Sequence, residues 1–169
     1  MLLPRRYDTA LMRPPDAHDA VDASVVVTLR AWCEGRALPA PPAPLQAASI
    51  GPCVGLDAAA CVLDGSHELA RRGRWRGLLW RLQIVWREQL AGRPAGHADP
   101  WDCGWWREGP LGPARAFRPR RATLLMLRQP APAATEELLA TLREQSPAYV
   151  RPLRVLVVSV EPVAGLLRL

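Results

Sequence analysis

The last third of the chain carries the pattern that most restricts its fold. Two near-continuous apolar runs, ATLLMLR at 122–128 and PLRVLVVSV at 152–160, flank a helical pattern, TEELLATLREQ at 135–145. Uninterrupted apolar runs are typical of strands that are covered on both faces. A strand, a helix and a second strand with connections of this length form a parallel β-α-β unit with a right-handed crossover. The sequence therefore predicts an α/β fold, with α+β as the alternative, that ends in a β-α-β unit.

The helix of this unit has signals at both ends. Thr135 is expected to be its N-cap, the two glutamates that follow complement the helix dipole, and Pro147 ends it. The leucines expected to face the sheet are Leu138, Leu139 and Leu142.

The same region carries a resemblance to a known class of proteins. The segment LLATLREQSPAYVRPLRVLVV, residues 138–158, resembles the C-terminal module of phage-tail and baseplate assembly proteins. The resemblance contains no functional residue that could be carried over. It implies that the chain works as a component of a multi-subunit complex.

The charge of the chain limits its chemistry. A formal net charge of +6, from 22 basic and 16 acidic residues, favours acidic or phosphate-rich partners. All 22 basic residues are arginine, and alanine, glycine and proline are abundant, so part of this charge reflects a GC-rich coding sequence. Because the chain has no lysine, it cannot supply the phosphate-binding lysine of a P-loop or the amine of a Schiff-base enzyme. Both classes are excluded for the chain alone.

The order of segments predicts one domain with an N-terminal arm. At 169 residues the chain has the length of a single domain, which we place at 24–169, preceded by an arm at 1–23. The segments expected in the domain are a helix from Ser24 to Gly35, an extended proline-rich connector at 36–48, one or two short strands around glycine turns at 49–65, a long helix from Asp64 or Ser66 to Leu90, and an irregular tryptophan-rich loop at 92–120.

The long helix contains RRGRWRGLLWRLQIVWRE at 71–88, with six arginines and three tryptophans. At about 100° per residue, one face carries an apolar stripe that is expected to belong to the core. This stripe consists of Trp75, Leu78, Leu79, Leu82 and Trp86. The side expected to be exposed consists of Arg76, Trp80, Gln83 and Arg87, with Arg76 placed to stack on Trp80.

Two functions are compatible with that exposed side. Tryptophan and arginine are enriched in protein–protein hot spots, and they also suit single-stranded nucleic acid by base stacking and phosphate pairing. The loop at 92–120 mixes carboxylates with aromatic side chains, which a polyanion-binding loop would avoid, so it favours a protein partner. We therefore predict a non-enzymatic assembly component that binds other protein subunits and uses no cofactor.

Each of these functions has its own set of expected residues. The protein-binding residues are Arg76, Trp80, Gln83, Arg87, Trp101, Trp105 and Trp106. The alternative, a small basic nucleic-acid-binding or nucleic-acid-processing protein, would use Arg76, Trp80, Arg87, Arg115, Arg118, Arg120 and Arg121.

A nucleophile motif offers a catalytic alternative. G-P-C-V-G at 51–55 has the shape of a hydrolase elbow around Cys53. Its candidate partners are His67, His97, Asp57, Asp64 and Asp99. The elbow needs a strand before it and a helix after it, and neither is well indicated here. We therefore expect a turn with a buried cysteine.

A short acidic cluster offers a metal site as another alternative. Its candidate ligands are His97, Asp99, Asp102 and Cys103. Imidazole, carboxylate and thiolate all bind zinc, but this spacing matches no zinc signature. A turn in which the aspartates accept backbone N–H groups is the preferred interpretation.

The termini and the cysteines bear on location. The start MLLPRRYD lacks the apolar region of a signal peptide, and the longest apolar runs, such as VLVVSV at 155–160, are too short to span a membrane. The four cysteines include no C-x-x-C pair and are expected to be reduced. The sequence predicts a protein of the cytoplasm or of a large assembled particle.

Overall fold

The computed structural model describes residues 10–16, 20–36, 43–65, 75–80, 82, 86, 100–161 and 163–169. The strands in this part of the chain are β1 (Met12–Arg13), β2 (Leu45–Ile50), β3 (Asp102–Trp106), β4 (Thr123–Arg128), β5 (Leu153–Val158) and β6 (Leu167–Arg168). The helices are α1 (Ala23–Cys33), α2 (Leu56–Leu63), α3 (Gly112–Ala116) and α4 (Pro132–Gln145), with a 3-10 turn at Ser146–Ala148. Residues 75–80, 82 and 86 are also helical.

The six described strands form one mixed sheet in the order β1-β3-β4-β5-β2-β6. The pairs formed among β2 to β6 are all parallel, and β1 is antiparallel to β3. Helices lie on both faces of this sheet, which confirms the predicted α/β class.

The C-terminal β-α-β unit is confirmed. Strands β4 and β5 are adjacent and parallel, and Thr123 lies opposite Leu153. The three leucines of α4 predicted to face the sheet are buried there. The predicted cap is wrong, because α4 begins at Pro132 and Thr135 lies inside it, donating its hydroxyl to the Ala131 carbonyl at 3.1 Å. Proline is favoured in the first turn of a helix, where its missing N–H costs no hydrogen bond.

The first predicted helix is present as α1, with a different cap. The carboxylate of Asp22, rather than Ser24, caps it by accepting the backbone N–H of Ser24 at 2.8 Å and its hydroxyl at 2.7 Å. Gly35 follows the helix with a φ of +74°. The buried positions Leu29, Trp32 and Cys33 repeat with helical spacing, which explains why a valine-rich segment is a helix and not a strand.

Two predictions between residues 36 and 65 are wrong. The connector predicted at 36–48 includes the first four residues of β2, which lies between β5 and β6, while 37–42 lie outside the described residues. The short strands predicted at 49–65 are replaced by the end of β2 and by α2. The small residues of this region have low strand propensity, but a fully buried Ala48 leaves room for helices to pack closely on the sheet.

The predicted arm and the predicted loop also contain regular structure. Residues 12 and 13 of the arm form β1, and both Leu11 and Met12 are buried; residues 1–9 and 17–19 lie outside the described part. The loop predicted at 92–120 contains β3 and α3. Strand β3 was missed because DCGWW lacks the aliphatic run that marks β4 and β5.

Two hydrophobic clusters flank the sheet. One packs α1 and α2 against alternate sheet residues, including Leu124, Met126 and Leu156. The other packs α3 and α4 against the sheet residues that alternate with these and point to the opposite face, including Leu125 and Val155. The described part of the chain therefore forms a three-layer α/β/α sandwich, and the helical residues 75–80, 82 and 86 lie between α2 and β3 in the sequence.

Candidate protein-binding surface

The helical residues between 75 and 86 carry the largest apolar side chains that the described part of the chain exposes together. The exposed fractions are 80% for Trp75, 47% for Leu78, 61% for Leu79, 51% for Leu82 and 68% for Trp86. We call these five residues the outer face. Trp75, Leu79, Leu82 and Trp86 follow one another at spacings of four, three and four residues, and Leu78 lies three residues after Trp75 and four before Leu82. Helical geometry places such residues on one side.

The opposite side of the same helical segment contacts the rest of the domain. Gly77 is buried and Trp80 is half-buried. A Cβ atom at Gly65, just after α2, would collide with the edge of the Trp80 ring. Gly65 thus permits the close approach that turns Trp80 inward, while the five residues of the outer face stay exposed.

This orientation is the reverse of the predicted one. Trp75 and Trp86 were assigned to the core and are exposed, whereas Trp80 was assigned to the surface and packs against Gly65. Arg76 is exposed as predicted, and Gln83 and Arg87 lie outside the described residues. The helix has apolar side chains on two sides, so its periodicity alone could not decide which side faces inward. The deciding contact is the one between Gly65 and Trp80.

The three tryptophans predicted to bind a partner from the 92–120 loop belong to β3 or its start. Trp101 and Trp105 are buried, and Trp106 is half-buried against the cluster on the α4 side. The prediction that Trp101 and Trp105 form a binding surface is wrong. Their burial results from the pairing of β3 with both β4 and β1, which places them inside the sandwich.

Trp105 takes part in a polar cluster with Asp57 and Arg128. Asp57 accepts the indole N–H of Trp105 at 2.5 Å, the backbone N–H of Asp16 at 3.2 Å and a guanidinium N–H of Arg128 at 3.3 Å. The Arg128 guanidinium also lies over the Trp105 ring, 4.5 Å from its centroid. The carboxylate therefore ties the start of α2 to β3, β4 and the segment after β1.

The elbow around Cys53 has the strand and the helix that the sequence did not indicate, because β2 precedes it and α2 follows it. Burial raises the pKa of the Cys53 thiol, and the Asp22 carboxylate raises it further, so the neutral thiol is favoured. A nucleophilic cysteine needs the opposite shift. Asp57 is held by Trp105, and Asp64 follows the far end of α2. The other proposed partners, His67, His97 and Asp99, lie outside the described residues.

The cavity beside Cys53 is also small. It has a volume of about 120 Å³ and is lined mainly by apolar side chains. Ligand pockets usually measure roughly 300–1,000 Å³. The geometry supports the turn with a partly buried cysteine rather than a hydrolase site.

The proposed metal ligands divide between described and undescribed residues. Asp102 and Cys103 are buried neighbours on β3, so their side chains point to opposite faces of the strand. His97 and Asp99 lie outside the described part, and among the described residues no group of three His, Cys, Asp or Glu side chains could hold a metal ion.

The arginines of the nucleic-acid alternative are partly engaged by the protein itself. Arg115, Arg118 and Arg120 are exposed, and Arg121 is half-buried. The Arg118 guanidinium donates to the Phe117 carbonyl at 2.7 Å and to the Gln145 side chain at 2.6 Å.

Comparison of the chain with protein-family models, with curated proteins and with solved structures gives no match. None of the helices in the described part of the chain has the length and apolarity needed to cross a membrane.

Proposed function

We propose that the protein is a non-enzymatic assembly component that binds another protein through its outer face. The observation that carries this proposal is the exposure of two tryptophans and three leucines on one side of a helix. Full burial of a large apolar side chain is worth roughly 1.5–3 kcal/mol, so a partner that covers the outer face gains several such terms. Exposed apolar patches of this kind mark interaction sites.

The internal architecture of the domain agrees with this proposal. Trp80 already packs on the domain at Gly65, whereas the side chains of the outer face keep 47–80% of their surface exposed. A helix with apolar residues on two sides is normally buried on both, and here one side is covered by the protein's own residues. The resemblance of 138–158 to phage-tail and baseplate assembly proteins would place the partner in a multi-subunit particle.

Site-specific crosslinking tests the proposal. The photoreactive residue p-benzoylphenylalanine would replace Leu79 on the outer face or, as a control, Val150, which is 87% exposed and far along the chain. In the cells that produce the protein, we expect irradiation to give a discrete adduct with one protein from position 79 alone. The adduct should persist after nuclease treatment and disappear when Trp75 and Leu82 are changed to aspartate. Equal crosslinking at both positions, or none at position 79, would refute the proposal.

Nucleic-acid binding is the second candidate, favoured by the three exposed arginines Arg115, Arg118 and Arg120. Binding through phosphate contacts weakens steeply as salt rises, whereas an apolar interface does not. Changing these three arginines to glutamate should therefore abolish an oligonucleotide shift if this candidate is correct, and should leave the position-79 adduct intact if the first one is.

A further inference from the structure

We propose that the outer face binds an amphipathic helix of a different protein, and that acidic side chains flank the apolar stripe of this partner helix. This inference rests on the proposed function and specifies the chemistry of the partner. It follows from the width of the outer face and from the charge of the segment that carries it.

The outer face covers a minority of the helix circumference. At about 100° per residue, its five members span roughly 100° around the helix axis, and four of them lie within roughly 60° of one another. These are Trp75, Leu79, Leu82 and Trp86, which follow at intervals of four, three and four residues. Alternating intervals of three and four are the spacing of a helix–helix seam, in which side chains of one helix fit between those of the next. A wide apolar half would be expected of a helix that lies in a membrane surface.

The charge of the segment determines the sign of the partner. Residues 71–88 contain six arginines and one glutamate. Of the arginines, Arg76 is described and is exposed next to Trp75. Charges that flank a helix–helix seam select partners of opposite sign and reject those of equal sign.

The same argument disfavours a second copy of this chain as the partner. Pairing two outer faces would bring together two copies of a segment that contains six arginines and one glutamate. Like charges across an interface oppose association. A partner with glutamate or aspartate beside its apolar stripe turns this repulsion into attraction.

Two synthetic peptides provide the test. Both have three heptads with leucine at the seam positions; one has glutamate at every flanking position, and the other has lysine. Each is labelled and titrated with the full chain, and its fluorescence anisotropy is measured. We expect the glutamate peptide to bind at least about tenfold more tightly, with a difference that shrinks as salt screens the flanking charges.

Two protein variants control for the surface involved. Leu79→Glu should abolish binding of the glutamate peptide, whereas Val150→Glu, which adds the same charge at an exposed position outside the outer face, should not. Arg76→Glu should weaken binding of the glutamate peptide several-fold and strengthen binding of the lysine peptide. Circular dichroism of each variant establishes that the fold is retained.

The possible outcomes separate this inference from the proposed function. Equal affinity for both peptides, tighter binding of the lysine peptide, or no binding of either would overturn the inference, and the crosslinking result at position 79 would still stand. Self-association in analytical ultracentrifugation that Leu79→Glu removes would identify a second copy as the partner and would also overturn it. Binding to vesicles of anionic phospholipid with neither peptide bound would also overturn this inference, while the proposed function would still be decided by the crosslinking result.

Discussion

Arg154 lies on β5 and is the largest charged side chain that the described part of the chain buries completely. Its guanidinium donates to three backbone carbonyls, at 3.1 Å to Cys33, 3.0 Å to Ala43 and 3.2 Å to Leu153. Burial lowers the pKa of Arg154, since the charged form loses its hydration. The Cys33 carbonyl is at the end of α1, where a positive charge is favourable to the helix dipole. One side chain thus joins the end of α1, the segment before β2 and β5.

We expect Arg154→Met to destabilise the protein by about 2–4 kcal/mol, because methionine fills the space but leaves buried carbonyls without donors. Arg154→Lys should recover only part of the loss, since an ammonium group cannot reproduce the planar fork. Urea unfolding followed by circular dichroism measures both variants. Arg143→Met, at an exposed position in the last turn of α4, is the matched control and should change the free energy of unfolding by less than about 0.5 kcal/mol. An equal effect at both positions would contradict this role of Arg154.

The orientation of the helical residues between 75 and 86 depends on the contact between Gly65 and Trp80. Gly65 has a φ of +76°, which favours glycine, and any side chain there would meet the Trp80 ring. We expect Gly65→Ala to cost about 1–3 kcal/mol of unfolding free energy, from backbone strain and from displacement of the ring. Thermal unfolding measures the loss, and Gly51→Ala, where an added Cβ has no neighbour within 4 Å, serves as the control.

A double-mutant cycle separates the two causes. Trp80→Leu shortens the side chain, so Gly65→Ala should cost less in that background if the ring contact is real. Identical costs in both backgrounds would leave only backbone strain and would argue against the inward orientation of Trp80.

The elements that could be predicted from the sequence are those whose pattern depends on local chemistry. The long aliphatic runs of β4 and β5 were sufficient to predict both strands, and the leucines of α4 face the sheet as expected. Strand β2 could not be predicted from LQAASI because its small side chains are selected by the helices packed on it and not by strand propensity. Which apolar side of the helical residues between 75 and 86 faces the domain likewise depended on Gly65, which precedes Trp80 by fifteen residues in the chain.

The exposed and buried sides of the helical residues between 75 and 86 were assigned the wrong way round. An apolar stripe at helical spacing is usually core, and that rule assigned Trp75 and Trp86 to the interior. Trp105 was assigned to a binding loop because its strand could be recognised only through its pairing with β4. In both cases the deciding contact is tertiary, between residues distant in sequence.

At the scale of the whole molecule, stability should decline in alkaline solution. Burial raises the pKa of the Cys33 thiol above its ordinary value of 9.0, so the folded state holds this proton more tightly than the unfolded state does. The resulting stabilisation is fully present below the unfolded pKa and is lost as the pH rises above it. One such proton gives a slope of about 1.4 kcal/mol per pH unit.

Unfolding free energies measured from about pH 8 to about pH 10.5 test this expectation. Cys33→Ala removes the titrating group, so its profile should be flatter than that of the unchanged protein, whatever the loss of stability at neutral pH. Tyr149, whose pKa is also raised by burial, contributes to the slope that both proteins share. Parallel profiles would exclude Cys33 as the cause.

The strands at the two borders of the sheet, β1 and β6, pair through two residues each. Long, free strand edges let the sheets of separate molecules join edge to edge and grow into fibres. Border strands this short offer another backbone few hydrogen bonds, which disfavours growth by addition of strands. If copies of this protein are built into a larger particle, as we propose, their association should then depend on the outer face and not on addition of strands to the sheet.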